Sequence, residues 1–247
     1  TAIHIKTKYA KKNRFQATVV TMIPYLDKIH YSRLSIRAMP HRTKFSQFQR
    51  EKLKYYFNFF DRNGDGHIEG SDFPLLTERI LKFTRWTPND QRTLALDEVH
   101  RVFHEALMEK ADQDKDDKVS LDEWMDFWSR ITYGCMGMQH FPLWVQYLPQ
   151  VLFSIIDFKE DRMIDVEELR HFYSEFMELP DAEKLAWTAY DAWTDKGRYK
   201  LDLQTYGQMF SNFLLCTNPW GPGRFIFGCF EYSLEAEPFQ IIRERNE

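Results

Sequence analysis

A segment of twelve residues with oxygen-bearing side chains at alternate positions constrains this chain more than any other feature. The segment DRNGDGHIEGSD, residues 61–72, carries Asp61, Asn63 and Asp65 at its positions 1, 3 and 5. Gly66 follows at position 6, where a loop that wraps around an ion turns sharply and a Cβ is unfavourable. Ca²⁺ takes roughly six to eight oxygen ligands, and a loop of this length can supply them. The segment therefore predicts a site for a hard divalent cation.

The second half of this first loop completes the ligand set. His67 at position 7 is expected to contribute its backbone carbonyl, and Glu69 at position 9 to bind directly or through a water. Asp72 closes the site at position 12 with a side chain one methylene shorter than Glu, so it grips an ion less readily with both oxygens. The loop is therefore predicted to take Mg²⁺ as well as Ca²⁺. The alternative, an acidic surface turn, does not require all these residues in this order.

The same spacing returns in DQDKDDKVSLDE, the second loop, residues 112–123. Its predicted ligands are the side chains of Asp112, Asp114, Asp116 and Glu123 and the backbone carbonyl of Lys118. Asp117 replaces the glycine, which costs backbone strain but removes no ligand. Because this loop ends in Glu, it is predicted to be the more Ca²⁺-selective of the two.

A third loop, residues 157–168, fits the pattern less well. It keeps acids at positions 1, 5, 9 and 12, namely Asp157, Asp161, Asp165 and Glu168. Lys159 occupies position 3, where an oxygen is expected, and Arg162 replaces the glycine. An ammonium among the ligands repels an ion unless it swings away. This loop is therefore a weaker metal candidate, and the alternative is a metal-free loop held by Lys–carboxylate pairs.

A fourth loop is recognisable only by its alignment with the others, at residues 194–205 or in a second frame that begins at Asp191. With Thr at positions 1 and 12 and Lys196 at position 3, it is predicted not to bind an ion. Leu201 falls at position 8, where paired loops are expected to couple through a short strand pair.

Apolar residues at helical spacing flank these loops, as in FSQFQREKLKYYFNFF before the first. A helix, a twelve-residue loop and a second helix form one EF-hand unit. The sequence thus predicts an all-α protein with four EF-hand units in two pairs, two of them degenerate. The predicted divisions are a basic N-terminal extension, 1–44; a first pair, 45–133; a second pair, 142–215; and a C-terminal tail, 216–247.

The N-terminal extension differs in charge from the rest of the chain. Residues 1–44 hold ten Lys/Arg and one acid, Asp27, which leaves 23 basic and 36 acidic residues elsewhere. Such an arm is predicted to bind a protein or an acidic surface, with the apolar residues within 15–31 docking on a hydrophobic surface. The alternatives are a solvated tail or a mitochondrial targeting segment. The expected location is cytoplasmic, with mitochondria as the alternative.

Several function classes find no support in the sequence. No run of eighteen apolar residues is present, so no membrane-spanning segment is expected. His100 and His104 lie at i, i+4 without the Glu of a zinc-protease motif and are expected to form a surface pair. No nucleotide-binding fingerprint appears, and the acidic body argues against nucleic acid. The three cysteines, Cys135, Cys216 and Cys229, are expected to be free thiols. An enzyme is therefore not expected.

Residues 45–230 together resemble the sarcoplasmic calcium-binding protein family and, within it, the calexcitins. The resemblance rests on the SDF that ends the first loop, the DEWMDFW after the second, the degenerate fourth unit and the ending GPGRFIFG, 221–228. It implies a compact helical body with a packed tail, and Ca²⁺ buffering or signalling with some Mg²⁺ binding. Photoproteins and luciferin-binding proteins resemble this architecture too, with a cavity lined by aromatic residues. Core packing is the favoured role of Trp124, Trp128, Trp187 and Trp193, which lie at helical spacing.

Overall fold

The structure, a computed structural model, describes residues 42–228. The extension up to residue 41, Cys229 and the rest of the tail lie outside the described residues, as do the predictions made for them. The helices are α1 Gln47–Phe60, α2 Asp72–Thr84, α3 Gln91–Lys110, α4 Leu121–Ile131, α5 Leu143–Ile156, α6 Val166–His171, α7 Ala182–Thr194 and α8 Leu203–Leu215. Two strands, β1 His67–Glu69 and β2 Lys118–Ser120, lie in the first two loops. The prediction of an all-α fold is confirmed, apart from this short strand pair.

Local sequence accounts for where several of these helices begin and end. Asp90 caps α3, because its side chain accepts a hydrogen bond from the backbone N–H of Arg92 at 2.9 Å. The helix therefore begins at Gln91, directly after this cap. Helix α2 ends where Arg85 adopts a left-handed conformation with φ of 59°. Helix α5 runs through Pro149 from Leu143 to Ile156.

Residues 60–123 form one compact unit. Strands β1 and β2 pair antiparallel with Ile68 opposite Val119, and both side chains are fully buried. Phe60, Phe73 and Phe103 provide aromatic packing in this unit, with the rings of Phe60 and Phe103 4.8 Å apart. The two residues at position 8 thus join the first and second loops, as the loop alignment predicts.

Residues 42–59 and 124–228 form the second compact unit. Tyr56 lies at its centre, with its ring stacked on that of Phe227 at 5.4 Å and in edge contact with that of Trp124 at 5.5 Å. Trp124 donates a hydrogen bond from its indole nitrogen to the carbonyl of Leu53 at 2.9 Å. After α6 the chain continues as a π-helical turn, Phe172–Phe176. Between the predicted pairs, Met138–His140 form a 3₁₀ turn.

The described part of the tail packs against α7 and α8 through a 3₁₀ turn, Pro222–Phe225. Trp193 donates a hydrogen bond to the carbonyl of Pro222 at 2.9 Å. A Cβ on Gly223 would lie 2.2 Å from the backbone nitrogen of Phe213, so only glycine allows this approach. Phe225 and Phe227 are buried, so the tail contributes to the core of its unit as far as residue 228.

One expectation about aromatic residues is corrected by the structure. Trp124, Trp128 and Trp193 are core residues, but Trp187 is 50% exposed on α7. Its indole nitrogen donates to Glu183 at 3.1 Å on the same helix, so its helical spacing does not place it in the core.

Candidate metal-binding loops

The first loop, 61–72, folds its backbone around its own acidic side chains. Asp61 accepts hydrogen bonds from the N–H groups of Gly64 and Gly66 at 2.9 and 3.0 Å. Asp65 accepts one from the N–H of His67 at 2.9 Å. Gly66 has φ of 85°, the left-handed conformation that the sharp turn requires. These bonds hold the predicted ligands of positions 1 and 5 within the loop.

Asp72 closes the first loop from the start of α2. It is buried, and its two oxygens accept hydrogen bonds from the N–H groups of Arg62 and Glu69, both at 2.8 Å. The two oxygens of Asp72 therefore connect the start of the loop to its position 9. Asn63, the predicted ligand at position 3, donates to Asp65 at 3.1 Å, which keeps its amide beside the same acids.

The second loop, 112–123, brings three carboxylates together. Oxygens of Asp112, Asp114 and Asp116 all lie within 4.8 Å of one another, a spacing that one ion can bridge. Asp112 is buried and accepts from the N–H groups of Lys115 at 2.7 Å and Asp117 at 3.2 Å. Asp117 has φ of 63°, so an aspartate adopts here the left-handed conformation that favours glycine.

Glu123 closes the second loop. Its oxygens accept from the N–H groups of Gln113 at 2.8 Å and Ser120 at 2.9 Å. Partial burial opposes ionisation of Glu123, but these hydrogen bonds outweigh it and lower the pKa of the carboxyl group. The charged form that binds cations is thus the one the loop stabilises. Both loops offer hard oxygen donors that fit a Ca²⁺-sized ion.

The third loop, 157–168, has the same backbone arrangement with a different charge balance. Asp157 accepts from the N–H groups of Asp161 and Arg162, each at 3.1 Å, and Arg162 has φ of 71°. Asp165 and Glu168 form a capping box at the start of α6. Burial, together with the nearby charges of Asp165 and Asp157, raises the pKa of Glu168 to about 7. Burial also raises the pKa of Asp157.

Lys159 is the residue that most clearly distinguishes the third loop from the first two, because it places an ammonium beside the loop's carboxylates. Its ammonium lies 2.5 Å from Asp165 and 2.6 Å from Glu167. Asp165 is a predicted ligand at position 9, so the lysine already neutralises part of the charge that an ion would use. These are the Lys–carboxylate pairs of the metal-free alternative.

The fourth loop, 194–205, has threonine rather than an acid at positions 1 and 12 and is stabilised by other hydrogen bonds. Thr194 donates to the carbonyl of Tyr190, and its hydroxyl accepts from the N–H of Gly197 at 2.8 Å. The N–H of Ile164 in the third loop donates to the carbonyl of Leu201 at 2.8 Å. This bond joins the two residues at position 8, which supports the frame that begins at Thr194.

Comparisons with known proteins agree with the geometry of these loops. A family model described as an EF-hand domain pair matches residues 50–129, which include the first and second loops. Sarcoplasmic calcium-binding proteins I, III and IV of Branchiostoma lanceolatum are 29% identical over 175 residues, 70% of this chain and 92% of theirs. Residues 50–129 of this chain thus match an EF-hand domain pair, and the chain as a whole is similar to sarcoplasmic calcium-binding proteins.

Two further comparisons extend this similarity. Calexcitin-1 of Caenorhabditis elegans is 22% identical over 176 residues, 70% of this chain and 82% of the relative. The solved structure of a sarcoplasmic calcium-binding protein from amphioxus aligns with a TM-score of 0.63 and 26% identity. It covers 75% of this chain and 98% of the solved one. The resemblance to both groups is confirmed. The names of the lancelet relatives and of the amphioxus structure are those of calcium-binding proteins.

The sequence analysis does not predict one contact between the first and second loops, which is made by the side chain of Lys118. Lys118 was expected to contribute only its carbonyl, yet its ammonium lies 2.9 Å from Glu69 and 3.9 Å from Asp65 of the first loop. The hydrogen bond from Lys118 lowers the pKa of Glu69. This contact could have been predicted from the sequence. Antiparallel pairing at position 8 places position 7 of one loop, here Lys118, opposite position 9 of the other, here Glu69.

The two histidines of α3 do not form the expected surface pair. His100 is buried, and its Nδ1 lies 3.0 Å from the hydroxyl of Thr77 on α2. Burial lowers its pKa to about 4. His104 is half-buried, and its ring packs edge-on against Phe73 at 5.2 Å. Their i, i+4 spacing thus serves packing between α2 and α3.

No helix between residues 42 and 228 is both long enough and apolar enough to cross a membrane. Cys135 and Cys216 are free thiols.

Proposed function

We propose that this protein is a cytoplasmic Ca²⁺ buffer that works through the first and second loops, with a first loop that also accepts Mg²⁺. The observation that carries the proposal is the convergence of Asp112, Asp114 and Asp116, with oxygens within 4.8 Å of one another. The hydrogen-bonded frame of Asp61 and Asp72 supports the same role for the first loop. The names of the lancelet relatives support the location, and nothing in the comparisons supports the mitochondrial alternative.

A sensor is the nearest alternative, and the packing of the tail favours a buffer. Sensor EF-hand pairs open on Ca²⁺ and expose an apolar groove. In the unit that contains α8, Phe227 stacks on Tyr56 and contacts Phe213 at 5.3 Å. The apolar surface there is already covered by the chain's own tail, so Ca²⁺ binding is expected to leave it buried.

Calorimetric titration of chelator-treated protein, with and without Mg²⁺, tests the proposal. We expect two tightly bound Ca²⁺ ions, with Mg²⁺ weakening mainly the first-loop site. Glu123→Gln should remove one ion and Asp72→Asn the other. Asp122→Asn removes a carboxylate next to Glu123 that is not a predicted ligand, so it should leave both ions bound. Binding of no ion, or of four, would contradict the proposal.

Apolar dye fluorescence separates a buffer from a sensor. For a buffer, we expect the dye signal to change little when Ca²⁺ is added at saturating concentration. A severalfold increase that chelator reverses would indicate exposure of an apolar groove and therefore a sensor.

A second role, anchoring to a larger assembly or to an acidic surface, is favoured by the charge of the N-terminal extension. Its ten Lys/Arg against one acid contrast with 23 basic and 36 acidic residues in the rest of the chain. Co-sedimentation with anionic lipid vesicles tests the role, with the chain lacking residues 1–44 as the control. We expect salt-sensitive binding of the full chain only, because exposed charges are screened by salt. Equal binding of both forms would argue against an anchor.

A further inference from the structure

Lys118 lies in the second loop, but its side chain contacts carboxylates of the first loop. Lys118 lies on β2 directly opposite Glu69 on β1. Its ammonium is 2.9 Å from a carboxylate oxygen of Glu69 and 3.9 Å from one of Asp65. Asp65 and Glu69 occupy positions 5 and 9 of the first loop, both of which face a bound ion.

The contact has no equivalent in the opposite direction. The same register places His67, position 7 of the first loop, opposite Ser120, position 9 of the second. The hydroxyl of Ser120 donates to Glu123 at 2.8 Å within its own loop. The ribbon therefore brings an ammonium to the ligands of the first loop and a hydroxyl to the corresponding place in the second.

A cation already in contact with ligand carboxylates opposes a second cation. An ion that enters the first loop must share Asp65 and Glu69 with Lys118 or displace its ammonium. The electrostatic interaction of Lys118 with Asp116 of the second loop is weaker than its interaction with Glu69. The effect of the lysine is therefore directed mainly at the first loop.

We propose that Lys118 is an internal competitor that lowers the affinity of the first loop for divalent cations and so sets the concentration at which it fills. This role rests on the proposed binding of ions by the first loop. The backbone carbonyl of Lys118 serves the second loop, so a change of its side chain leaves that ligand in place. About 39% of the side chain is exposed, which limits the effect through screening. We expect removal of the ammonium to strengthen first-loop binding about three- to tenfold.

The first test isolates the first loop in a Glu123→Gln background and measures Ca²⁺ affinity by calorimetry. Lys118→Met keeps the aliphatic stem and removes the charge. Lys115→Met is the matched control, because it removes the same charge from the same loop outside the strand pair. We expect Lys118→Met to raise the affinity about three- to tenfold at low ionic strength. Lys115→Met should change it less than about twofold. Equal effects of the two substitutions would overturn the proposal.

Salt dependence provides a readout that a purely structural effect would not change. The difference in affinity between the protein that retains Lys118 and its Lys118→Met variant should shrink as ionic strength rises from about 0.01 M to 1 M, since the Debye length falls from roughly 30 to 3 Å. A difference that is independent of salt would count against competition by charge.

The reciprocal test measures the second loop in an Asp72→Asn background. Lys118→Met should change affinity there less than it does in the first loop, and a larger change in the second loop would overturn the proposal. Failure of the proposed function is distinguishable, because the Glu123→Gln protein would then bind no ion whichever residue stands at position 118.

Discussion

Asp72 and Glu123 accept the same pair of backbone hydrogen bonds, although one side chain is a methylene shorter than the other. In each loop the donors are the N–H groups of positions 2 and 9, namely Arg62 and Glu69 in the first and Gln113 and Ser120 in the second. The distances lie between 2.8 and 2.9 Å in both loops. The two loops therefore hold the closing carboxylate with the same backbone hydrogen bonds. They differ in the length of the closing side chain, which we expect to affect how each loop binds its ion.

Replacement of Asp72 with Glu should raise the preference of the first loop for Ca²⁺ over Mg²⁺ about tenfold, or ~1.4 kcal/mol. The longer side chain reaches an ion more readily with both oxygens, and Mg²⁺ requires a smaller octahedral set. Competition calorimetry in a Glu123→Gln background measures the ratio. Glu123→Asp, in an Asp72→Asn background, is the matched control and should shift the second loop the other way. Unchanged selectivity would show that the length of the closing side chain does not set it.

Replacement of Lys159 with Asp should create or strengthen Ca²⁺ binding in the third loop by at least about tenfold. The change removes an ammonium that holds Asp165 and Glu167 and supplies an oxygen at position 3. Arg162→Gly is the control, because Arg162 already has φ of 71° and the glycine would only relieve local strain. Calorimetry with both other loops disabled measures the effect. A larger gain from Arg162→Gly would identify the backbone at position 6 as the barrier.

Acid should weaken the wild-type fold more than a fold without His100. Burial lowers the pKa of His100 to about 4 from 6.5, so the unfolded chain takes up a proton at a higher pH than the folded chain. The stability that the neutral ring provides above pH 6.5 is lost as pH falls towards 4. At pH 5 this loss is about 2 kcal/mol. Urea unfolding of metal-free protein should show it as a steeper pH dependence than in His100→Gln, and parallel curves would contradict it.

Replacement of Lys52 with Met should destabilise the fold by about 2 kcal/mol. The buried ammonium of Lys52 donates to the carbonyls of Phe213 at 2.6 Å and Cys216 at 2.7 Å, at the end of α8. Methionine fills the space but leaves both carbonyls without this donor. Lys54→Met, an exposed lysine on the same helix, is the control and should change the free energy of unfolding by less than about 0.5 kcal/mol. Equal effects of the two substitutions in urea unfolding would show that the buried hydrogen bonds of Lys52 add no stability.

Sequence alone identified the loops because their chemistry is local. Alternating oxygens, a turn at position 6 and an acid at position 12 all fall within one short segment, and flanking periodicity predicts the helices. The loops that lack glycine at position 6 keep the same backbone, since Asp117 and Arg162 adopt the left-handed conformation expected there. The match of an EF-hand pair to residues 50–129 covers the two loops that the pattern marked most clearly.

The tertiary structure decided which side chains meet across segments that are far apart in sequence. Periodicity places Trp187 and Trp193 on one helix, but only packing buries Trp193 and leaves Trp187 exposed. It likewise determined that His100 faces Thr77. The ammonium of Lys118 reaches Glu69 only because β1 and β2 pair in one register. A ligand pattern is set by spacing within a loop, whereas a cross-strand contact is set by the pairing of two loops, which no single segment encodes.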